Sequence, residues 1–313
     1  MNTRILLMVA AAALATAQTP TAKKFRTPWG DPDLQGTWSN ATNTTLERPA
    51  KYAGREFLSA EERKAQDQQT DTAQDQRAER GTDADVNGAY NAAWFDRGHS
   101  DGRTSLIYDP PDGRIPPLGE EAKQRQAKQR RVIRAGDAIS SSQSFAGPED
   151  FELYTRCIVR AALPRVPTNY DNSYQIVQAP GLVSILQEQM HETRVIPLDG
   201  RPHLDPSVRQ WLGDSRGHWE GDTLVVETTN FSDQASFMGA TPNMKLTERF
   251  RRVDAGHIDY RFTVEDPATW TKPWSAAIAW NRTGMLYEYA CHEDNYGLYG
   301  ILAGSRAQEQ REK

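Results

Sequence analysis

The chain has 313 residues, a formal net charge of −5 and only two cysteines. This near balance of charge argues against a surface built for nucleic acid and against a strongly acidic tail. Eight Trp and eleven Tyr residues stand out in the composition, and such rings either pack in a β core or stack on sugars and apolar ligands.

The first seventeen residues have the pattern of a secretory signal peptide. Arg4 supplies the positive charge, residues 5–14 form an apolar run, and Ala-Thr-Ala at residues 15–17 is an A-x-A cleavage site. The run is shorter than the roughly 20 residues that a membrane helix needs. The sequence therefore predicts a periplasmic or secreted protein without a membrane span.

Residues 18–145 do not have the pattern of a self-contained domain. Residues 33–38 and 103–108 are typical of short strands, and turn residues surround both. We interpret this region as an extended and partly helical arm that wraps the rest of the protein.

Two helices are predicted within the arm. Ser59 and Glu62 form a capping box for a polar helix that runs to about residue 80. A second helix begins at Glu120, ends before Gly136 and carries many basic residues. Its basic side is either a solvated face or the contact surface of an envelope interaction protein.

Residues 148–162 have the apolar periodicity of a third helix. This helix contains Cys157, and Cys291 falls in the last predicted strand. In an oxidising compartment two cysteines suggest one disulfide, with two separate buried thiols as the alternative. A bond closing so long a loop would stabilise the domain by about 4 to 5 kcal/mol in the chain-entropy model.

From residue 173 onwards the pattern is of strands joined by short turns. The strands are predicted at residues 174–178, 182–196, 216–219, 223–229, 246–253, 257–266, 274–280 and 285–291. Without helical crossovers they form an antiparallel meander, and closure into a barrel of about eight strands removes its edges. The predicted fold is mainly β, with the barrel at residues 146–304 and a disordered tail at 305–313.

Two resemblances accompany this pattern. Gly-Thr-Trp at residues 36–38 resembles the G-x-W of the first lipocalin strand, which implies a lipocalin-like barrel. Four phrases resemble a family of exported bacterial proteins of unknown function: RTPWG at residues 26–30, IPLDGRPH at 196–203, WEGDTLVVET at 219–228 and YACHE at 289–293. That family implies export and no particular activity.

Residues 182–196 carry unusual charge for a core strand. If they form one strand, side chains alternate between two faces. His191 then lies on one face, and Glu188, Glu192 and Arg194 lie on the other. Parity therefore separates the histidine from the carboxylates, and only one of these two sets is expected to be functional.

Our first hypothesis is a monomeric barrel that binds a small apolar or aromatic molecule or a glycan. Two tryptophans held by two prolines at residues 266–274 could roof the barrel mouth, or could be a packed cap. The candidate ligand-binding residues are His191, Arg194, Arg249, Trp270, Trp274, Tyr289 and His292.

The alternative hypothesis is a hydrolase or lyase that uses the same pocket. His191 or Glu188 would be the general base, and Arg194 or His292 would stabilise developing negative charge. A carboxylate beside Arg194, with Glu248 or Arg249 from a neighbouring strand, also has a purely structural interpretation, which we favour: an ion-pair ladder on the outside of the barrel.

Cofactor motifs are not found in the sequence. It has no phosphate-cradling glycine loop and no dinucleotide fingerprint, so we predict no nucleotide cofactor. His191, His203, His218 and His292 lack the short spacings typical of metal sites. Structural or surface roles are therefore favoured for these histidines, and no metal, nucleic-acid or membrane partner is predicted.

Overall fold

The computed structural model describes residues 25–72, 96–128, 145–284, 286–293 and 295–311. The predicted signal peptide and the predicted ends of the first two helices, at residues 73–80 and 129–135, lie outside these residues. Among the described residues, no helix combines the length and the apolar character that a membrane span requires.

Most of the regular structure is β-strand. The strands are β1 (Gly36–Ser39), β2 (Ile107–Asp109), β3 (Ser173–Ala179), β4 (Leu182–Gln187), β5 (Thr193–Pro197), β6 (Asp214–Glu220), β7 (Thr223–Thr229), β8 (Lys245–Arg252), β9 (His257–Glu265) and β10 (Trp274–Arg282). The α-helices are α1 (Ala60–Thr72), α2 (Glu120–Lys128) and α3 (Tyr296–Arg311). Short 3-10 turns cover Ala50–Tyr52, Pro148–Asp150 and Gln189–His191.

Nine strands of the described residues form one sheet in the order β5-β4-β3-β1-β10-β9-β8-β7-β6, and β2 pairs with the free part of β10. The sheet curls until β5 lies beside β6. This nearly closed antiparallel barrel confirms the predicted lipocalin-like fold, with nine strands where about eight were expected. One of them, β1, comes from the region interpreted as an arm, so the barrel is not confined to residues 146–304.

The two ends of the sheet meet at a seam between β5 and β6. Because all neighbours along the sheet are antiparallel and the strand number is odd, β5 and β6 run in the same direction. No hydrogen-bonded ladder joins these two described strands. A Cβ atom on Gly217 of β6 would lie 2.6 Å from Leu198 Cδ2 and 2.8 Å from Ile196 Cγ2. The seam is therefore closed by close packing over a glycine.

Large aromatic side chains fill the barrel. Alternate residues of each strand point inward, and Trp38, Tyr174, Phe250, Tyr260 and Trp280 are buried. The Tyr174 and Trp280 rings stack with centroids 4.4 Å apart. The interior is therefore a packed core, as in small barrels whose side chains occupy the lumen.

The prediction of one strand at residues 182–196 is wrong. The chain turns back between β4 and β5, and these two strands pair with each other in antiparallel register. Met190 and His191 both have positive φ, 65° and 49°, which reverses the chain without glycine. The charged middle of the segment is thus a turn, and the parity argument that separated His191 from Glu188 does not apply.

The prediction of a third helix at residues 148–162 is also wrong. After the Pro148–Asp150 turn the chain follows turns and bends, and Cys157 has φ 55°, which an α-helix does not admit. The apolar residues of this segment are divided between two places. Phe151 packs against Phe145 and α3, whereas Ala162 enters the barrel core.

Two predictions about the C-terminal region need correction. The strand predicted at residues 285–291 is not seen in its described part, residues 286–291, and β1 pairs with the end of β10 at Trp38 and Arg282 instead. Residues 305–311 are helical, being the end of α3. That helix packs Leu298, Ile301 and Leu302 on Phe145 and Phe151, and the Ser305 hydroxyl accepts the Phe145 N–H at 2.9 Å.

Two local predictions are confirmed. Cys157 and Cys291 form a disulfide. At the start of α1, the Glu62 N–H donates to Ser59 Oγ at 3.2 Å and the Ser59 N–H donates to Glu62 Oε2 at 2.8 Å. These reciprocal hydrogen bonds are the capping box that the Ser-x-x-Glu spacing indicates.

Candidate functional site

Arg194 points into the barrel and meets Glu248 of β8. Its Nη1 and Nη2 atoms both donate to the Glu248 carboxylate, the second at 3.2 Å, and both side chains are buried. The Tyr260 hydroxyl donates to Glu248 Oε1 at 2.9 Å. Burial raises the pKa of the Tyr260 hydroxyl well above its ordinary value, and the neighbouring Glu248 carboxylate raises it further. The phenol is therefore a fixed hydrogen-bond donor.

A second buried ion pair lies beside the first. Arg165 donates to the Glu192 carboxylate through Nη2 and to Gln187 Oε1 through Nε at 2.7 Å. Glu192 also accepts the Arg160 N–H at 2.9 Å. The two pairs leave no unpaired carboxylate among these interior residues, so they are suited to fixing the end of the barrel rather than to moving protons.

A cavity of about 20 Å³ separates the two ion pairs. Its polar lining includes Arg165, Glu192, Arg194 and Glu248, and neither Glu188 nor His191 is among the lining residues. Such a volume holds about one water molecule. This cavity is too small for the small molecule that we predicted in a barrel pocket, and it does not bring the proposed base next to Arg194.

Glu188 and His191 form hydrogen bonds with a C-terminal segment, residues 286–293, which we call the strap. Glu188 Oε1 accepts the Tyr287 N–H at 2.8 Å, and its Oε2 accepts the Ser173 N–H at 3.2 Å. His191 Nε2 accepts the Tyr289 N–H at 3.2 Å. The structure thus joins three predicted site residues, Glu188, His191 and Tyr289, but as anchors of the strap.

Asp171 lies close to the Glu188 anchor and is half-buried. Burial, reinforced by the charges of Glu188 and Asp96, raises the pKa of Asp171 to about 6. The carboxyl group therefore changes its charge within the physiological pH range.

The remaining predicted ligand-binding residues lie elsewhere. Trp270 and Trp274 are buried in the core with their rings 5.8 Å apart, which is the packed-cap arrangement. Arg249 lies outside the barrel, where Nη2 donates to Glu220 Oε2 at 2.6 Å. His292 is exposed on the strap. These side chains do not share a pocket with Arg194.

The histidines are also dispersed. His203 Nδ1 lies 2.9 Å from Asp214 Oδ2, and His218 Nε2 lies 3.2 Å from Glu220 Oε1. In the part of the chain that the structure describes, no group of three or more His, Cys, Asp or Glu side chains could hold a metal ion.

An open groove runs along the seam between β5 and β6. It has a volume of about 680 Å³ and is bordered by Thr193–Pro197 on one side and by residues 209–216 on the other. Val195 and Trp211 are its exposed apolar side chains, 53% and 38% exposed. Arg194 and Leu212 line both this groove and the interior cavity, and they form the wall between the two.

Trp211 is presented by a rigid loop. The N–H of Gln210 donates to the Asn230 carbonyl at 3.0 Å, and the Gln210 carbonyl accepts the N–H of Ser232 at 2.8 Å. Gly213 has φ 71°, and a Cβ there would lie 2.5 Å from the Thr229 carbonyl oxygen. The loop is therefore tied to the end of β7 on both sides of the exposed indole.

Asp214 is the anchor of the groove wall. Its buried carboxylate accepts the N–H of Leu204 at 3.0 Å, and it pairs with His203 and with Arg216 Nη1 at 2.7 Å. A single carboxylate thus holds the 198–213 connection, strand β6 and the groove lining in one geometry.

No protein-family model, no curated protein and no solved structure matches this chain. Function is therefore inferred from geometry and chemistry alone.

Apart from Arg194, the groove residues were not among the sequence candidates. The signal that could have identified the groove is the group Leu204, Val208 and Trp211, three exposed apolar side chains within residues 198–213. Exposed apolar side chains held on an ordered loop indicate a binding surface. The sequence could not show that Trp211 and Val195 line one groove, because that depends on closure of the barrel.

Two other open clefts have similar volumes, about 730 and 640 Å³. Both lie against the arm, and their linings are dominated by Thr, Asn, Gln, Asp and Arg side chains. Neither contains an exposed tryptophan among the described lining residues. Of these three clefts, the seam groove is the one whose described lining has an exposed tryptophan beside hydrogen-bonding groups.

Proposed function

We propose that this protein is a glycan-binding barrel and that the ligand lies in the seam groove. The observation that carries the proposal is the exposed indole of Trp211, which lies on a hydrogen-bonded loop and lines an open cleft together with Val195. A pyranose ring has one apolar face and a hydrogen-bonding rim, so it matches an aromatic surface bordered by polar groups.

The polar groups needed at the rim are available. The side chains of Thr193 and Gln210 are exposed in the groove. The backbone of β5 contributes further groups. The Gln187 N–H donates to the Glu192 carbonyl and the Leu198 N–H to the Gly181 carbonyl. In an antiparallel pair, successive residues direct their backbone groups alternately towards the neighbouring strand and away from it. Because Glu192 and Leu198 bond towards β4, the N–H and C=O groups of Thr193 and Val195 point away from β4 and towards the groove.

An open groove favours a glycan over a compact apolar molecule. Ligands of drug size bury most of their surface in closed pockets. A polymer needs a cleft that is open at its ends, and the cavity inside the barrel has room for about one water molecule only.

The test is titration of the purified protein with a panel of soluble neutral and acidic polysaccharides, followed by tryptophan fluorescence and calorimetry. We expect saturable binding that Trp211→Ala weakens at least about tenfold, since loss of a stacked ring removes 1.4 kcal/mol or more. Trp29→Ala is the matched control, because Trp29 is 37% exposed and is not a lining residue of the groove. The proposal fails if no polysaccharide binds or if both variants bind like the unchanged protein.

A further inference from the structure

We propose that the glycan is acidic and that Arg209 binds its carboxylate. This inference rests on the proposed glycan binding and specifies the class of sugar. It follows from the way in which the three arginines of the groove are paired.

Two of these arginines are already neutralised. Arg194 is bound to Glu248 inside the barrel wall. Arg216 pairs with Asp214 through Nη1 at 2.7 Å, and its Nε donates to the Pro202 carbonyl. Both guanidinium groups have a carboxylate partner, and their role is to hold the groove in shape.

Arg209 is fixed by neutral groups. Its Nη1 donates to the Pro242 carbonyl, and its Nη2 donates to Asn243 Oδ1 at 3.1 Å. The residue is exposed, and no carboxylate among the described residues forms an ion pair with it. The guanidinium is thus held in one orientation without compensation of its charge.

A fixed and uncompensated arginine is complementary to an anion. The planar guanidinium binds carboxylates through two parallel hydrogen bonds, and little side-chain entropy remains to be lost when the arginine is already held. Arg209 and Trp211 are two positions apart on the same loop, and both line the groove. A sugar stacked on Trp211 therefore lies beside a site for a carboxylate, as a uronic acid residue requires.

The experiment compares acidic polymers with their neutral counterparts. Polygalacturonate, alginate and hyaluronate are each titrated against the full chain, alongside the same polymer with its carboxylates methyl-esterified. We expect at least one uronate to bind about tenfold more tightly than its ester, with an affinity that falls as salt rises. Dextran sulfate is included to detect non-specific attraction to polyanions.

The variants assign the effect to one side chain. Arg209→Gln is expected to weaken uronate binding about tenfold and to leave binding of the methyl ester unchanged. Arg209→Lys keeps the positive charge but loses the planar pair of donors of the guanidinium. Its affinity for the uronate is therefore expected to lie between those of the unchanged protein and of Arg209→Gln. Arg249→Gln is the control, because Arg249 is also exposed but pairs with Glu220 outside the groove.

The outcomes separate this inference from the proposed function. If neutral or esterified polymers bind as tightly as the uronates, or if Arg209→Gln has no effect, the acidic ligand is wrong while glycan binding stands. If dextran sulfate binds as well as the uronates, the attraction is non-specific and the inference is overturned. If no polysaccharide binds, both proposals fail.

Discussion

Arg194 and Glu248 face each other inside the barrel, with the arginine on β5 and the glutamate on β8. The side chain of Arg194 is 9% exposed and that of Glu248 is 2% exposed. The pair lies immediately behind the seam groove, which Arg194 also lines. Arg194, held by its buried ion pair with Glu248, therefore forms part of the wall of the candidate binding site.

Removing one partner of this ion pair should destabilise the protein more than replacing both partners by apolar residues. Arg194→Met leaves Glu248 buried without its cation, and we expect the free energy of unfolding to fall by about 3–5 kcal/mol. Arg194→Met combined with Glu248→Leu removes both charges, and we expect a value within about 2 kcal/mol of the unchanged protein. Urea unfolding followed by tryptophan fluorescence measures both.

The exposed pair of Arg249 and Glu220 provides the comparison for that prediction. Arg249→Gln should change the free energy of unfolding by less than about 0.5 kcal/mol, because solvent screens the pair. A double variant no more stable than Arg194→Met alone would contradict the account of the buried pair.

Asp171 should make stability depend on pH. Its pKa is raised to about 6, so between the unfolded value near 4 and pH 6 the folded state binds the proton more tightly. The contribution of this proton binding to the free energy of unfolding is therefore fully present below about pH 4, and it is lost as pH rises through 6. Asp171→Asn should stabilise the protein at pH 7.5 by about 1–2 kcal/mol, a value reduced for the partial exposure of the group.

The same variant should have little effect at pH 4, where the aspartate is already protonated in the folded state. Asparagine also tolerates the positive φ of 57° at this position. Chemical unfolding of both proteins at the two pH values checks the prediction. An equal difference at pH 4 and pH 7.5 would show that the carboxyl charge is not the cause.

The disulfide should stabilise the fold through the unfolded chain. Cys157 and Cys291 are 134 positions apart, and the chain-entropy model gives about 4–5 kcal/mol for such a loop. Replacing both by serine should lower the free energy of unfolding by that amount. The unchanged protein, unfolded in the presence of a reductant, should show the same loss of stability. A loss below about 1 kcal/mol would mean that the hydrogen bonds of Glu188 and His191 hold the strap without help from the disulfide.

Those parts of the fold that have strong local signals could be predicted from the sequence. The β6–β7 and β8–β9 hairpins were predicted because Gly221 and Gly256 mark their turns between alternating strands. The strand predicted at residues 33–38 overlaps β1, although it was assigned to the arm and not to the barrel. The turn between β4 and β5 was missed because Met190 and His191 adopt positive φ, and neither residue type signals it.

The candidate site could not be predicted for a topological reason. Val195 and Trp211 come from opposite ends of the sheet, and only the closure of nine strands brings them to one groove. Charge on a strand was read from the sequence as a sign of function. The fold instead uses Arg194 and Glu192 in buried pairs, and the exposed side of the same strand faces the groove.

The seam itself gives the last prediction. Because a Cβ on Gly217 would lie within 3 Å of Ile196 and Leu198, Gly217→Ala must push β5 and β6 apart. The end of Leu198 can move, but Ile196 is fully buried, so we expect a loss of about 1–2 kcal/mol by chemical unfolding. Adding Leu198→Ala should recover part of it, since the second change makes room for the first. Gly284→Ala, with no atom within 4 Å of the added carbon, should be neutral. If Gly217→Ala is as neutral as Gly284→Ala, the two strands do not pack this closely and the groove is wider than the structure has it.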